Sequence, residues 1–162
     1  MLNQPYAFQS GKHQGKAMEL MMFDDYGWLV WFFNKLNSES QTGKNAAHRH
    51  LEELLEKGEN RQPKKVCLQC GRKPVKYFSV FWGYDGAFSA GTHYTCCEDE
   101  KCKQALREEA AGNHIEFLPF KFSTMRRFYS KADKRRITDL FKKVFELPER
   151  LTRQVACQFF CE

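Results

Sequence analysis

Five of the seven cysteines in this 162-residue chain lie in one short stretch, between residues 67 and 102. Cys67 and Cys70 are separated by two residues and followed by a glycine, and a second group contains Cys96, Cys97 and Cys102. A Cys-x2-Cys turn lets two thiolates converge on one ion, and four thiolates in a tetrahedron are common ligands of structural zinc. The spacing therefore predicts one structural Zn²⁺ bound by Cys67, Cys70, Cys97 and Cys102.

The third ligand is the ambiguous one, because two adjacent cysteines precede Cys102. Cys97 leaves four residues before Cys102 and Cys96 leaves five, whereas the usual gap is about two to four. We therefore favour Cys97, with Cys96 as an alternate and His93 as a replacement for one thiolate. Disulfides or free core thiols are the competing explanations. Disulfide frameworks belong to secreted chains, and residues 1–30 lack the pattern of a signal peptide.

The segment between the two cysteine groups predicts a β-hairpin, and the second group leads into a helix. Two strand-like runs, 75–82 and 87–95, surround an Asp85-Gly86 turn signal, and the helix is expected from Lys101 to Ala111. The order of knuckle, hairpin, knuckle and helix resembles the layout of zinc ribbons and treble-clef fingers. This resemblance implies a small zinc domain over residues 61–115.

Residues 1–60 predict a hairpin followed by two helices. Gly11 and Gly15 bracket a polar tip, which suits a tight turn. The first helix begins near Asp24 and is too apolar to be covered on one side only. The second begins at about Asn45 and has leucines on one face and glutamates on the other.

The hairpin tip belongs to a longer motif, Phe8-x-x-Gly11-Lys12-His13-x-Gly15-Lys16-x-Met18, followed by Tyr26 and Trp28-Leu29-x-Trp31. The motif is similar to that of the small C-terminal domain of exodeoxyribonuclease X and its stand-alone bacterial and phage relatives, although Gln9-Ser10 and Gln14 depart from the pattern. The resemblance implies a fold for residues 1 to about 60 and a DNA-metabolism context in a bacterium or phage. It does not imply nuclease activity, because the catalytic domain of the exonuclease lies outside the matched segment.

The net charge of +6 is unevenly distributed along the chain. Residues 1–60 contain 6 Lys and Arg against 8 Asp and Glu, whereas residues 61–162 contain 20 against 12. We therefore expect a polyanion to bind the zinc segment and the C-terminal part, with a merely solvated basic surface as the alternative. The candidate phosphate contacts are Lys12, His13 and Lys16 at the hairpin tip, and Arg61, Lys64, Lys65, Arg72, Lys73, Lys76, Arg126, Arg127, Lys134, Arg135 and Arg136 further along.

The strand after the first knuckle is rich in aromatic residues, among them Tyr77, Phe78, Phe81 and Trp82. Single-strand binding combines cations that contact phosphate with exposed aromatic faces that stack on bases. A small zinc domain also needs aromatic residues for its core, and strand alternation would bury about half of these rings. We therefore name Trp82 as a candidate base contact, with core packing as the alternative.

Residues 116–162 predict two helices, which makes the overall fold class α+β. Ser130 and Asp133 form a capping box. The helix that follows carries apolar residues along one face at helical spacing: Ile137, Leu140, Phe141, Val144 and Phe145. In the last helix, which begins at about Glu149, Cys157 and Cys161 are expected to be core thiols and not a second metal site.

The chain carries no motif of a common enzyme class, since it lacks a Walker loop, a dinucleotide fingerprint and a His-Glu-x-x-His sequence. We expect a non-enzymatic, cytoplasmic, nucleic-acid-binding accessory protein of a DNA-processing, repair or defence complex, with DNA preferred over RNA and no membrane association. A zinc-stabilised protein–protein adaptor is the first alternative. A metal-dependent nuclease is the second, with Asp24, Asp25, Glu98, Asp99 and Glu100 as its carboxylates, although helix capping also explains these acids.

Overall fold

The chain folds into helices and one small sheet, which confirms the predicted α+β class. A computed structural model describes residues 4–39, 45–82, 88–89, 94–110, 114–128 and 130–161. The helices are α1 (Met18–Asp24), α2 (Tyr26–Glu39), α3 (Ala46–Asn60), α4 (Glu100–Glu109), α5 (Lys131–Val144) and α6 (Arg153–Cys161), with a 3₁₀ turn at Phe122–Arg127. The strands are β1 (Tyr77–Trp82), β2 (Phe88–Ser89), β3 (Thr95–Cys96) and β4 (Ile115–Pro119). None of the helices in these ranges is long and apolar enough to cross a bilayer.

Contacts divide the chain into two units. The helical unit comprises residues 1–61 and 150–162, and the cysteine unit comprises residues 62–149. The sequence-based division into 1–60, 61–115 and 116–162 kept the two last helices together. In the structure, α5 belongs to the cysteine unit and α6 to the helical unit.

The N-terminal hairpin of the helical unit closes as its sequence predicts. Ala7 pairs with Ala17, and the backbone amides of Phe8 and Gly15 donate to the carbonyls of Lys16 and Phe8 at 3.1 and 2.8 Å. Gly15 has a φ of +77°, a conformation that costs glycine little and other residues more. The chain then enters α1 directly, a short helix that the sequence analysis did not separate from the hairpin.

Aromatic contacts bring α6 into the core of the helical unit. Phe159 and Phe160 are buried, and the ring of Phe159 meets that of Phe23 in α1 at a centroid distance of 5.4 Å. Of the two cysteines in α6, Cys157 is half-buried, whereas Cys161 is exposed. The expectation that both are core thiols is therefore wrong for Cys161, which is the last residue of the helix.

Strand β1 is the centre of the sheet in the cysteine unit. It pairs antiparallel with β4 along Tyr77–Phe81 at one edge, and with the short strands β3 and β2 at the other. Phe78 is fully buried among Phe120, Phe128 and Phe141, the last of which lies in α5. The predicted cap of α5 is confirmed, since Ser130 Oγ accepts a hydrogen bond from the Asp133 amide at 3.0 Å.

Candidate metal centre

The first cysteine pair lies at the end of a tight hairpin, here called the knuckle hairpin (residues 64–76). The Cys67 amide donates to the Lys73 carbonyl at 2.8 Å, and the Val75 amide donates to the Lys65 carbonyl at 2.9 Å. The turn is closed by the Gly71 amide, which donates to the Cys67 carbonyl at 2.7 Å. Gly71 has a φ of +62°, so the glycine after the second cysteine permits the turn.

The second cysteine pair is supplied by the end of β3 and the start of α4. Cys97 directly follows β3, and Cys102 lies in the first turn of α4. That helix is capped by Asp99, whose side chain accepts a hydrogen bond from the Lys101 amide at 3.0 Å. The Lys76 amide donates to the Cys96 carbonyl at 2.8 Å, which joins the knuckle hairpin to β3. Local hydrogen bonds thus hold both pairs on one small framework.

Four sulfur atoms converge on one point in this framework. The Sγ atoms of Cys67, Cys70, Cys97 and Cys102 all lie within 4.8 Å of one another, and those of Cys70 and Cys97 are 3.9 Å apart. A disulfide requires about 2.05 Å, and a tetrahedron with metal–sulfur bonds of about 2.3 Å has edges of about 3.8 Å. The arrangement therefore fits one metal ion bound by four thiolates.

The structure also separates the alternate Cys96 from the four converging thiols. Cys96 is opposite Tyr77 in the sheet and fully buried, but its sulfur is not one of the four. It belongs instead to the apolar cluster around the site, together with Leu106 and the ligand side chains. His93 and the Asp85-Gly86 turn lie outside the described residues.

The pKa values of the cysteines differ with their surroundings. The backbone amides of Lys73 and Arg72 point at Cys70 and lower its pKa to about 6. Burial raises the pKa of Cys97, and it raises the pKa of Cys102 to about 12. Burial raises the pKa of Cys96 to about 12 as well. A cysteine binds a metal as its thiolate, so Cys97 and Cys102, whose pKa values burial raises, ionise readily only beside a cation that offsets their charge.

The acids next to the second cysteine pair are engaged by basic side chains. Glu98 pairs with Lys76 at 2.6 Å, and Asp99 pairs with Lys73 at 3.4 Å. The pKa of Glu98 is lowered chiefly by Lys76, and that of Asp99 by the Lys101 amide and then by Lys73. Glu100 pairs with Arg107, which lowers its pKa in turn. Glu98, Asp99 and Glu100 therefore form ion pairs, and Asp99 also caps α4.

The cations predicted at the N-terminal hairpin tip occupy three different environments. Lys16 is exposed, and Lys12 pairs with Asp25 at 3.2 Å. His13 is only 5% exposed, and its ring meets the Trp28 ring at a centroid distance of 4.6 Å. Asp25 also accepts a hydrogen bond from the Trp28 amide at 3.3 Å, which caps α2. His13 therefore packs against the helical unit and does not project from the tip.

Three of the cations predicted around the knuckle have carboxylate partners. Besides Lys73 and Lys76, Lys65 pairs with Glu146 at 3.2 Å. Lys64 and Arg72 are exposed, and neither has a carboxylate partner in the described part of the chain. Arg61 lies in the helical unit, where its guanidinium covers the Phe159 ring at 4.7 Å. Of the six basic residues predicted around the knuckle, Lys64 and Arg72 are thus the exposed ones that lack a carboxylate partner within the described ranges, and the role of all six in binding phosphate stays a prediction.

The remaining predicted contacts lie on or before α5. Lys134 and Arg135 are exposed, again with no carboxylate partner among the residues that the structure describes, whereas Arg136 pairs with Asp133 at 3.9 Å. Arg127 is exposed. The side chains of Arg126 and Trp82 lie outside what the structure describes.

Two of the aromatic rings of β1 are engaged within the cysteine unit. Phe78 is buried on one face, and Tyr77 and Phe81 are half-buried. The Lys103 ammonium group of α4 lies over the Tyr77 ring at 3.9 Å. Phe78 and Tyr77 therefore do not present the free aromatic face that base stacking requires. The proposed role of Trp82 stays a prediction.

An exposed apolar tip was missed by the sequence analysis. Leu68 is 84% exposed and Val66 is 49% exposed, although both lie beside buried Cys67. The sequence contained one indication of this exposure, namely that Leu68 lies between Cys67 and Cys70. In a Cys-x2-Cys turn the two thiolates face the metal, so the residues between them face away from it.

Searches of protein-family models, curated proteins and solved structures found no match to this chain. The resemblance of residues 1–60 to the exodeoxyribonuclease X C-terminal domain therefore stays a prediction.

Proposed function

We propose that this chain is a zinc-containing nucleic-acid-binding accessory protein that contacts mainly backbone phosphates and has no catalytic activity of its own. The distribution of charge over the two units carries this proposal. The cysteine unit has 17 Lys and Arg against 11 Asp and Glu, a net charge of +6, whereas the helical unit has nine of each. The whole net charge of the protein thus belongs to the unit that holds the four thiols. A compact unit with that excess attracts polyanions.

Cations without carboxylate partners are the best candidates for phosphate contacts. A lysine already paired with an acid must give up that pair to bind phosphate, whereas an unpaired one gains a partner. Lys64 and Arg72 on the knuckle hairpin, and Lys134 and Arg135 on α5, meet this condition within the described residues. A metal ion bound by Cys67 and Cys70 would stabilise the knuckle hairpin, whose turn is closed around these two cysteines. It would thereby also hold Arg72, which follows that turn.

Zinc is the metal we propose, since four cysteine sulfurs at tetrahedral spacing form a closed structural site typical of zinc. We propose DNA over RNA because of the resemblance of residues 1–60 to a domain linked to DNA metabolism. The same resemblance supports a cytoplasmic DNA-processing, repair or defence complex as the setting.

A salt titration of binding to single- and double-stranded oligonucleotides tests the proposal. Each phosphate contact contributes about 0.7 to 0.9 to the slope of log K against log salt. The double variant Lys64→Gln/Arg72→Gln should therefore flatten the slope by about 1.4 to 1.8 and weaken all sequences similarly. Arg49→Gln/Lys35→Gln removes the same charge from exposed positions of the helical unit and should leave the slope nearly unchanged. Equal slopes for the two double variants would contradict the assignment of these contacts, and no binding at low salt would contradict the function.

A protein–protein adaptor is the second candidate, and the exposed apolar tip formed by Val66 and Leu68 favours it. An adaptor would bind its partner with a shallow dependence on salt, because apolar contact carries its affinity and is not weakened by screening. The same titration therefore separates the two candidates.

A further inference from the structure

The most exposed large apolar side chain in the described residues lies inside the metal-binding turn itself. Leu68 is 84% exposed, and Val66, two residues earlier, is 49% exposed. A polar residue at either position would leave the thiols and the hydrogen bonds of the turn unchanged. An exposed leucine contributes little to stability, because the hydrophobic effect requires removal of the side chain from water. Its position at the tip calls for a ligand that covers it.

The backbone holds this tip in a fixed position. Val66 pairs with Pro74 across the knuckle hairpin, and the turn is closed by the Gly71 amide on the Cys67 carbonyl. Of the two residues between Cys67 and Cys70, Gln69 donates to the Glu109 side chain of α4 at 3.3 Å. Leu68 is also exposed, and it is the apolar residue of the two. A rigid apolar tip of this kind loses little conformational entropy on binding.

The segment that carries the tip is basic in sequence, and the carboxylates of Glu109, Glu146 and Asp99 contact it through Gln69, Lys65 and Lys73. From Arg61 to Lys76 the chain contains six basic residues and no acidic one. Lys64 and Arg72, on either side of the tip in sequence, have no carboxylate partner in the described ranges. An occupant must therefore combine a small apolar surface with adjacent negative charges.

The size of the tip favours a nucleobase over a protein. A standard protein interface buries about 800 Å² on each partner, and two aliphatic side chains cover only a small part of that area. One base with its flanking phosphates matches a single leucine between two cations. Leucine is also among the apolar residues that proteins insert between base steps.

We infer that Leu68, supported by Val66, contacts the face of a nucleobase while Lys64 and Arg72 hold the adjacent phosphates. This inference rests on the proposed function and adds to it the element that touches the bases. It also implies a preference for single strands, because a wedge in a duplex must first unstack a base step at a cost of a few kcal/mol, a cost that single strands largely avoid.

The test uses three probes of equal length: an oligothymidine strand, the same strand with abasic sites, and a duplex. Leu68→Ala and Leu68→Gln should weaken binding to oligothymidine about three- to tenfold and leave binding to the abasic strand within about twofold. The matched control is Lys64→Gln/Arg72→Gln, which should weaken binding to both strands equally. Because Leu68 is exposed, zinc content and melting temperature should be the same as in the wild type.

Two results would overturn the inference while leaving the proposed function in place. One is equal loss on oligothymidine and the abasic strand in the Leu68 variants, which would indicate a general disturbance of the tip. The other is no loss on any strand, which would assign the tip to a protein partner. If the wild type binds none of the three probes, the proposed function fails and this inference fails with it.

Discussion

Two cysteines of the cysteine unit, one inside the ligand set and one next to it, provide the strictest test of the metal centre. Cys70 is one of the four converging thiols and is half-exposed, whereas Cys96 is fully buried and its sulfur is not among the four. Serine at either site is nearly isosteric. Cys70→Ser therefore tests the loss of a metal ligand, and Cys96→Ser tests a polar substitution at a buried site that is not a ligand.

We expect Cys70→Ser to abolish metal binding and Cys96→Ser to lower only the free energy of unfolding. Structural zinc sites bind with an apparent free energy of about 10 to 16 kcal/mol, and whole domains are stable by only about 5 to 15 kcal/mol. Cys70→Ser should therefore lose the metal and unfold much of the cysteine unit. Cys96→Ser places a hydroxyl without a known partner in an apolar site, at a cost of about 1 to 3 kcal/mol. For a unit of this size that corresponds to roughly 4 to 8 °C in melting temperature per kcal/mol.

Elemental analysis after gel filtration, combined with thermal melting followed by circular dichroism, measures both quantities. Wild type and Cys96→Ser should each contain one zinc per chain, and Cys96→Ser should melt at a lower temperature. Cys70→Ser should contain far less than one zinc per chain. If Cys96→Ser loses zinc while Cys70→Ser retains it, the assignment of Cys70 and not Cys96 as a ligand is wrong.

Two further predictions concern the remaining parts of the fold. Because Lys76 lowers the pKa of Glu98 below its ordinary value of 4.5, this pair stabilises the folded state above that pH and ceases to do so as pH falls through the lowered value. Lys76→Gln should therefore be less stable than wild type at pH 7 in urea unfolding, with a difference that shrinks as the pH is lowered below 4.5, and a difference that does not change with pH would contradict it. Phe159→Ala should destabilise the helical unit by about 3 to 5 kcal/mol without changing zinc content, and an unchanged melting profile would show that α6 does not belong to that core.

The features predicted correctly from the sequence depend on residues close together in the chain. The Cys-x2-Cys turn with its glycine, the glycine-bracketed hairpin tip and the Ser130–Asp133 cap all form within a few residues. The features that the sequence analysis missed depend on distant contacts. His13 is buried because Trp28 covers it, and α6 joins the helical unit because Phe159 meets Phe23. Neither contact leaves a periodicity or a motif that identifies the partner.

The order of the elements links the metal site to the helical unit through the chain itself. Residues 62–149, 88 in number, are inserted in the sequence between α3 and α6, which both belong to the helical unit. If the cysteine unit unfolds, those 88 residues become a flexible loop, and closing a loop of that length costs about 4 kcal/mol. That cost is a large fraction of the total stability of a small domain. By holding the cysteine unit folded, the four thiols thus also favour, through chain connectivity, the association of α6 with the N-terminal helices.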